Sequence, residues 1–119
     1  MAAYPNYDTG HFADFDKSTY QNPSVADLFE PGSIFKVLVM AAALNEKVVT
    51  PTTICDICAG PIHIGQYTIK TWDEKYYPNS TLTDVIVHSN NIGMVFVARR
   101  LCKEKFARYL SDFGIGQLT

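Results

Sequence analysis

The sequence lacks a long hydrophobic run. Its longest uninterrupted apolar stretch covers residues 37–44, well short of the roughly 20 residues that cross a bilayer. Residues 1–8 contain neither the basic region nor the long apolar segment of a secretory signal. We therefore expect no membrane anchor and no targeting signal in these residues, which leaves open an anchor in a longer parent protein.

The sequence also lacks a large excess of positive or negative charge. The chain carries 10 basic and 12 acidic side chains, a net charge of −2, and no block of like charges. The basic surface that nucleic-acid binding requires is missing, so we expect no nucleic-acid partner. A length of 119 residues with 47% hydrophobic side chains suits one folded domain and excludes a disordered chain.

Cysteine is sparse, and its odd count of 3 argues against a complete disulfide framework. Cys55 and Cys58 have the C-x-x-C spacing that serves redox chemistry or half of a zinc site. A second such pair is absent from the sequence, and Cys102 lies in a predicted helix. The pair is therefore interpreted as part of a loop, free or bridged according to the compartment.

The strongest helix prediction covers residues 33–45. This segment contains good helix formers without glycine or proline, and almost every side chain is apolar. An apolar helix too short for a membrane is predicted to be a core helix, buried all round. Lys36 is the exception, because burial and the helix dipole both disfavour a positive charge in the first turn. A functional reason is the natural explanation for it.

The remaining secondary structure is predicted in shorter pieces. Thr81 and Asp84 have the spacing of a capping box, and Gly114 stands where a helix is expected to end. The last helix should have one apolar face, made of Phe106, Tyr109, Leu110 and Phe113. The predicted elements are a strand at 1–7, a loop at 7–24, short strands at 62–64 and 67–70, and helices at 81–88, 92–101 and 103–113.

Ser33 and Lys36 form an S-x-x-K motif at the start of the predicted core helix. Residues three apart share a helix face, so the hydroxyl and the amine are expected within hydrogen-bond reach. A neutral lysine can activate a serine nucleophile, and burial lowers the pKa of a lysine. The alternative is a capping serine beside a lysine that extends to solvent.

Ser89, Asn90 and Asn91 form an S-x-N motif between two predicted helices. Alone, this pattern is usually a helix cap and turn. Together with S-x-x-K, and in this order, it matches two of the three motifs of the penicillin-binding and serine β-lactamase enzymes, with Asn90 at the central aspartate position.

Further segments extend this similarity along the chain. The sequence resembles the transpeptidase domain of penicillin-binding proteins, most closely the monofunctional class B enzymes of cell elongation or division. The match covers essentially the whole chain and is carried, in the family's order, by residues 4–8, 27–36, 42–44, 49–51, 65–72, 88–94 and 113–116.

The resemblance implies an α+β fold in which an antiparallel sheet packs against a helical subdomain. It also implies a serine acyltransferase without metal or organic cofactor. Ser33 would attack the penultimate D-Ala of a stem peptide, releasing the terminal D-Ala, and Lys36 would take the serine proton. Ser89 would relay a proton to the leaving amine, and Asn91 would hydrogen-bond Lys36 and the donor amide.

The resemblance implies partners and a location as well. Peptidoglycan stem peptides ending in D-Ala-D-Ala would be the substrates, and β-lactams would trap Ser33 covalently. The full-length protein would work on the extracytoplasmic side of the cell membrane, with a glycosyltransferase or a divisome or elongasome component as a partner.

The family's third motif, Lys-Thr/Ser-Gly, is missing from the sequence. The only Lys-Thr pair, Lys70-Thr71, precedes Trp72 and lies before the S-x-N motif. We therefore expect residues 1–119 to be a partial transpeptidase domain, mostly helical and truncated before that motif. The C-terminal sheet strands would be missing, and the isolated chain would be inactive with exposed apolar helices.

Three alternatives stay open at this point. A serine β-lactamase or β-lactam sensor has the same fold but differs in how fast the acyl-enzyme is released. A non-catalytic fragment would keep the motifs without the chemistry, and the absent third motif favours it. The third alternative is a redox or zinc protein that uses the C-x-x-C pair.

Overall fold

A computed structural model of the chain describes residues 4–117, which fall into two compact units, Met1–Glu30 and Pro31–Thr119. The first unit contains short helical turns, and none of its described helical residues is buried. Side chains of Asp8, Asp16 and Asn22 cap these turns by accepting backbone N–H groups two residues on. The turns are 3-10 helices at Thr9–Asp14 and Lys17–Tyr20 and helix α1 at Pro23–Ala26.

Two predictions for this unit need correction. Residues 4–7 are not a strand, and residues 1–3 lie outside the described part of the chain. A strand needs a hydrogen-bonded neighbour, and the sheet formed by residues 4–117 contains only two strands, both from the second unit. The predicted loop at 7–24 is instead mostly short helical turns, because aspartate and asparagine supply local caps.

The second unit carries the main elements. A 3-10 turn, Gly32–Ile34, leads directly into the long helix α2. The strands β1, Ile62–Ile64, and β2, Tyr67–Ile69, lie where the sequence predicts short strands. They pair as an antiparallel hairpin with Ile62 opposite Ile69. The elements are α2 at Phe35–Asn45, β1 at Ile62–Ile64, β2 at Tyr67–Ile69, α3 at Leu82–Val87, α4 at Asn91–Leu101 and α5 at Lys103–Asp112.

The predicted helix ends are confirmed. Thr81 accepts the N–H of Asp84, and the Asp84 carboxylate accepts the N–H of Thr81, which completes the capping box of α3. After α5 the chain turns at Gly114, which has a φ of +77° that suits glycine. The N–H of Ile115 reaches the carbonyl of Leu110 across this turn, closing the helix as a Schellman cap does.

The core of this unit lies where α4 packs against α2 and α3. Gly93 gives α3 and α4 their close approach, since a Cβ at this position would lie 2.4 Å from a Val85 methyl group. Cys55 and Cys58 are fully buried and joined by a disulfide. The main buried apolar side chains are Val39, Met40, Ala43, Val49, Leu82, Val85, Ile92, Met94, Phe96 and Val97.

The structure shows the bonding of the C-x-x-C pair and the position of Cys102. The open choice for the C-x-x-C pair is settled as the bridged form. Cys102 does not lie within a helix, because it occupies the junction between α4 and α5 with a φ of +63°. Among residues 4–117, no group of three His, Cys, Asp or Glu side chains is arranged to hold a metal ion. None of the helices between residues 4 and 117 combines the length and the apolar character of a membrane-spanning segment.

Helix α2 is not buried all round, which corrects the prediction. Val39, Met40, Ala42 and Ala43 are buried, but Val37 is 58% exposed and Ile34, just before the helix, is 74% exposed. Within this unit, α4 and α5 pack against one side of α2. The other side borders an open apolar groove of about 400 Å³ lined by Pro31, Ile34, Phe35, Val37, Leu38 and Ile115.

We expect the isolated chain to self-associate through this groove, because exposed contiguous apolar surface favours association in water. Sedimentation velocity should give a weight-average mass that rises with protein concentration. Replacing Ile34 and Val37 with threonine should lower that mass toward the monomer. Val87→Thr is the matched control, since Val87 lies in the same unit, is 70% exposed and does not line the groove. A sharp, cooperative thermal transition of a monomer would contradict the prediction.

Candidate active site

Ser33 sits in the middle of the 3-10 turn that precedes α2, and its side chain is exposed. Gly32 enters this turn with a φ of +54°, a conformation that suits glycine. No side chain caps the turn, so Ser33 is not the capping serine of the purely structural interpretation. Its hydroxyl oxygen instead accepts a hydrogen bond from Ser89 Oγ at 3.1 Å.

Lys36 lies in the first turn of α2 and is half-buried. Its Nζ donates to the Ser89 carbonyl oxygen at 2.6 Å, to Ser89 Oγ at 2.9 Å and to Asn91 Oδ1 at 2.7 Å. These three acceptors match the three donors of an ammonium group. The side chain therefore points into the protein, which rules out a lysine that merely extends to solvent.

No carboxylate forms an ion pair with Lys36 among residues 4–117. Burial therefore lowers the pKa of the Lys36 ammonium from its usual value, because removal from water disfavours the charged form. The sequence predicted this direction. The neutral amine is accordingly easier to reach than for an exposed lysine, which is the property a general base needs.

Ser89 forms the junction between α3 and α4. Its backbone is left-handed, with a φ of +50°, which is uncommon for a residue with a side chain and marks a strained position. This junction presents both the carbonyl and the hydroxyl of Ser89 to Lys36. Ser89 Oγ thus links Lys36 Nζ to Ser33 Oγ by two consecutive hydrogen bonds.

Asn90 and Asn91, the other two residues of the S-x-N motif, have different roles. Asn90 is the helix cap, since its Oδ1 accepts the N–H groups of Ile92 and Gly93 at 2.9 and 3.1 Å. Asn91 begins α4, accepts from Lys36 and donates from Nδ2 to the Lys70 carbonyl oxygen at 2.8 Å. The cap-and-turn interpretation therefore describes Asn90 and the backbone of Ser89. It does not account for the side chains of Ser89 and Asn91, which contact Lys36.

Two features of the site escaped sequence reasoning. The S-x-x-K spacing predicts a direct hydrogen bond between the Ser33 hydroxyl and the Lys36 amine. Among the described residues, the polar atoms of these two side chains connect only through Ser89. The reason is that Ser89 and Asn91 accept all three hydrogen bonds that the Lys36 ammonium can donate. The Lys70 carbonyl also holds Asn91 in place. A backbone carbonyl has no sequence signature, so only the placement of the hairpin beside α4 brings it to the site.

A serine, a half-buried lysine, a second serine and an asparagine thus form one connected polar network. The family model described as the penicillin binding protein transpeptidase domain matches residues 1–119, which is the whole chain. The chain belongs to this family. Its α+β architecture, helices with a small antiparallel sheet, is that of a part of the transpeptidase fold.

Curated relatives align over nearly the whole length of this chain. Penicillin-binding protein PbpB of Mycolicibacterium smegmatis is 36% identical over 116 residues, which are 97% of this chain and 17% of that protein. Stage V sporulation protein D of Bacillus subtilis is 33% identical over 120 residues, covering 100% of this chain and 19% of that protein. Peptidoglycan D,D-transpeptidase FtsI of Escherichia coli strain K12 is 31% identical over 119 residues, covering 100% and 20%. The chain therefore spans about a fifth of the length of these relatives.

Proposed function

We propose that the protein carrying this chain is a penicillin-binding serine D,D-transpeptidase that cross-links peptidoglycan stem peptides through an acyl-enzyme on Ser33. The observation that carries the proposal is the hydrogen-bonded series from Lys36 Nζ through Ser89 Oγ to Ser33 Oγ. The names of relatives support it, since the Escherichia coli protein is called a peptidoglycan D,D-transpeptidase.

In this mechanism Ser33 is the nucleophile and Lys36, in its neutral form, is the general base. Before reaction both hydroxyl groups rotate, so that Ser33 O–H donates to Ser89 Oγ and Ser89 O–H donates to Lys36 Nζ. The proton of Ser33 then reaches Lys36 through Ser89 while Ser33 Oγ attacks the D-Ala carbonyl carbon. Protonated Lys36 returns a proton through Ser89 to the leaving amine, which departs as D-Ala.

Asn91 is the positioning residue that keeps Lys36 beside Ser89. Its Oδ1 accepts from Lys36 and its Nδ2 is held by the Lys70 carbonyl, so the amide cannot rotate without losing a hydrogen bond. We assign it a second contact, with the amide of the acyl donor.

We also infer that residues 1–119 form a partial transpeptidase domain and that the Lys-Thr/Ser-Gly strand lies outside them. The small share of each relative that aligns supports this domain assignment. The exposed apolar side of α2 supports it as well, since this side is suited to pack against further strands.

The same proposal covers location and partners. We place the full-length protein on the extracytoplasmic side of the membrane, with β-lactams as covalent inhibitors and a divisome or elongasome protein or a glycosyltransferase as a partner. The Cys55–Cys58 disulfide supports the location, because disulfides persist in oxidising compartments.

Peptide mapping after penicillin treatment tests the proposal on the full-length protein. Attack of Ser33 opens the β-lactam C–N bond and adds the whole penicillin mass to the serine. Tryptic cleavage places Ser33 in the peptide of residues 18–36 and Ser89 in the peptide of residues 76–99. We expect the added mass on Ser33, located within its peptide by fragmentation.

Other results would change the assignment. The added mass on Ser89, located by fragmentation of the peptide of residues 76–99, would make Ser89 the nucleophile. An adduct that forms and is rapidly hydrolysed would favour a β-lactamase, and no adduct at all would favour a non-catalytic relative of the enzymes.

A further inference from the structure

Two aromatic rings stack at the junction between α3 and α4, immediately before Ser89. The His88 imidazole lies nearly parallel to the phenol ring of Tyr77, with an angle of 12° between the planes and 4.6 Å between the ring centroids. Tyr77 is half-buried and His88 is exposed. Stacked rings attract each other beyond the area that they bury, so this contact restricts where the His88 side chain can lie. The mechanism proposed above uses neither ring.

Tyr77 belongs to a turn that is fixed to the core. Its carbonyl oxygen accepts from the Ser80 hydroxyl and from the Ser80 N–H, the latter at 3.3 Å. The Ser80 carbonyl in turn accepts the N–H of Cys55 at 2.8 Å. Cys55 is fully buried in its disulfide with Cys58. The Tyr77 ring is therefore an anchored surface against which His88 is held.

Ser89 is the residue that needs such support. The end of α3 is closed across it, because the N–H of Asn90 reaches the carbonyl of Val85 at 2.9 Å. A helix end of this kind usually has glycine in the left-handed position, but here Ser89 has the φ of +50°. Left-handed backbone is unfavourable for a residue with a side chain and persists only where its surroundings hold it. Relaxation of this backbone would take both Ser89 acceptors away from Lys36.

Helix α3 alone offers little of this support. It has 6 residues, and a helix of that length is marginal without tertiary contacts. His88 is the C-cap of α3, and Tyr77 precedes its N-cap, Thr81, so the stack joins the two ends of the helix. The contact thereby limits rotation of the backbone that leads into Ser89.

We propose that Tyr77 and His88 are a positioning pair, whose stacked rings hold Ser89 in the left-handed conformation that connects Lys36 to Ser33. This inference rests on the proposed transpeptidase function. The pair acts through Ser89 and contributes no group to the path of the proton from Ser33 to Lys36. It should therefore affect the rate constant of acylation and not the affinity for penicillin before the reaction.

Stopped-flow acylation of the full-length protein by a fluorescent penicillin tests the pair. The dependence of the rate on penicillin concentration gives the first-order acylation constant and, separately, the dissociation constant of the complex that precedes acylation. His88→Ala and Tyr77→Ala each remove the stack. Each should lower the acylation constant about 3- to 10-fold, the range expected for one aromatic pair, and leave the dissociation constant nearly unchanged.

Aromatic replacements test whether stacking is the role of the two side chains. His88→Phe and Tyr77→Phe keep a ring at each position and should retain near wild-type acylation constants. The double variant Tyr77→Ala/His88→Ala should be no slower than the slower single variant, because the second change removes nothing further from the same contact.

Tyr67→Ala is the matched control for the loss of a tyrosine. Tyr67 lies in the same unit, is 65% exposed and has no aromatic ring stacked on it within residues 4–117. The variant should leave both constants unchanged. Because the acylation constant is first-order, a loss of folded protein lowers the amplitude of the signal and not this constant.

The outcomes distinguish this inference from the function on which it rests. If the wild-type protein is not acylated on Ser33, the transpeptidase proposal fails and the positioning role fails with it. If Ser33 is acylated but both alanine variants keep wild-type acylation constants, the positioning role alone is wrong. Slow acylation by His88→Phe would also overturn it, because the imidazole nitrogens and not the stacked ring would then matter. Multiplying losses in the double variant would overturn it as well, since the two rings would then act independently.

Discussion

Replacing Lys36 with methionine should slow acylation of Ser33 by penicillin about 10²- to 10⁴-fold, the usual contribution of a general base. Methionine has similar length but no proton acceptor, and it leaves the Ser89 carbonyl and Asn91 Oδ1 without their donor. The rate constant is measured with a fluorescent penicillin on the full-length protein. Lys103→Met is the matched control, since Lys103 is exposed on α5 away from the network.

The Lys36→Arg variant distinguishes a general-base role of Lys36 from a role of its positive charge alone. Arginine retains the positive charge and can donate to the same acceptors, but it stays protonated at all working pH values. We expect it to acylate as slowly as the methionine variant. Near wild-type acylation by Lys36→Arg would contradict the general-base role and leave Lys36 as an electrostatic residue.

The pH dependence follows from the same lysine. Burial lowers the pKa of Lys36, so the fraction of neutral amine at neutral pH exceeds that of an exposed lysine. The acylation rate should therefore rise with pH through this lowered pKa and then level off. The rise should disappear in Lys36→Met, and its persistence there would assign the titration to another group.

The second large effect concerns the fold rather than the chemistry. Gly93→Ala should destabilise the protein by about 1–3 kcal/mol, the usual cost of overpacking. Its Cβ would lie 2.4 and 2.5 Å from the two Val85 methyl groups, which are fully buried. Pushing α4 from α3 would also shift Ser89 and Asn91 away from Lys36, so acylation should slow as well. Urea unfolding followed by circular dichroism measures the stability change.

A control and a compensating change sharpen this test. Gly60→Ala should leave the urea midpoint nearly unchanged, because a Cβ there meets no atom within 4 Å. Val85→Ala removes both methyl groups, so the double variant Val85→Ala/Gly93→Ala should be more stable than the sum of the single effects implies. Strictly additive losses would show that Gly93 is not limited by Val85.

Local sequence patterns predicted those features that depend on neighbouring residues along the chain. Three such predictions are confirmed: the capping box of Thr81 and Asp84, the glycine cap at Gly114 and the short strands near residues 62–64 and 67–70. Each depends on contacts within a few residues. The prediction of a strand at 1–7 is wrong for residues 4–7, the part that the structure describes. A strand depends on a hydrogen-bonded partner strand, which a local sequence pattern does not reveal.

The surroundings of α2 also show that a local sequence pattern does not predict contacts with distant elements. Its apolar composition predicted burial but carried no information on how many sides would be covered. In the described structure only one side is packed, and Val37 stays exposed. Burial is a property of neighbouring elements, which the composition of a single helix does not specify.

By itself the sequence determined the family, the motif residues Ser33, Lys36, Ser89 and Asn91, and the lowered pKa direction of a lysine in an apolar helix. The tertiary structure decided how these residues connect. It showed that Lys36 reaches Ser33 through Ser89, that the Lys70 carbonyl holds Asn91, and that the rings of Tyr77 and His88 stack next to Ser89. The physical reason is that hydrogen bonds between residues 53 to 56 positions apart depend on helix packing, which no local pattern along the chain encodes.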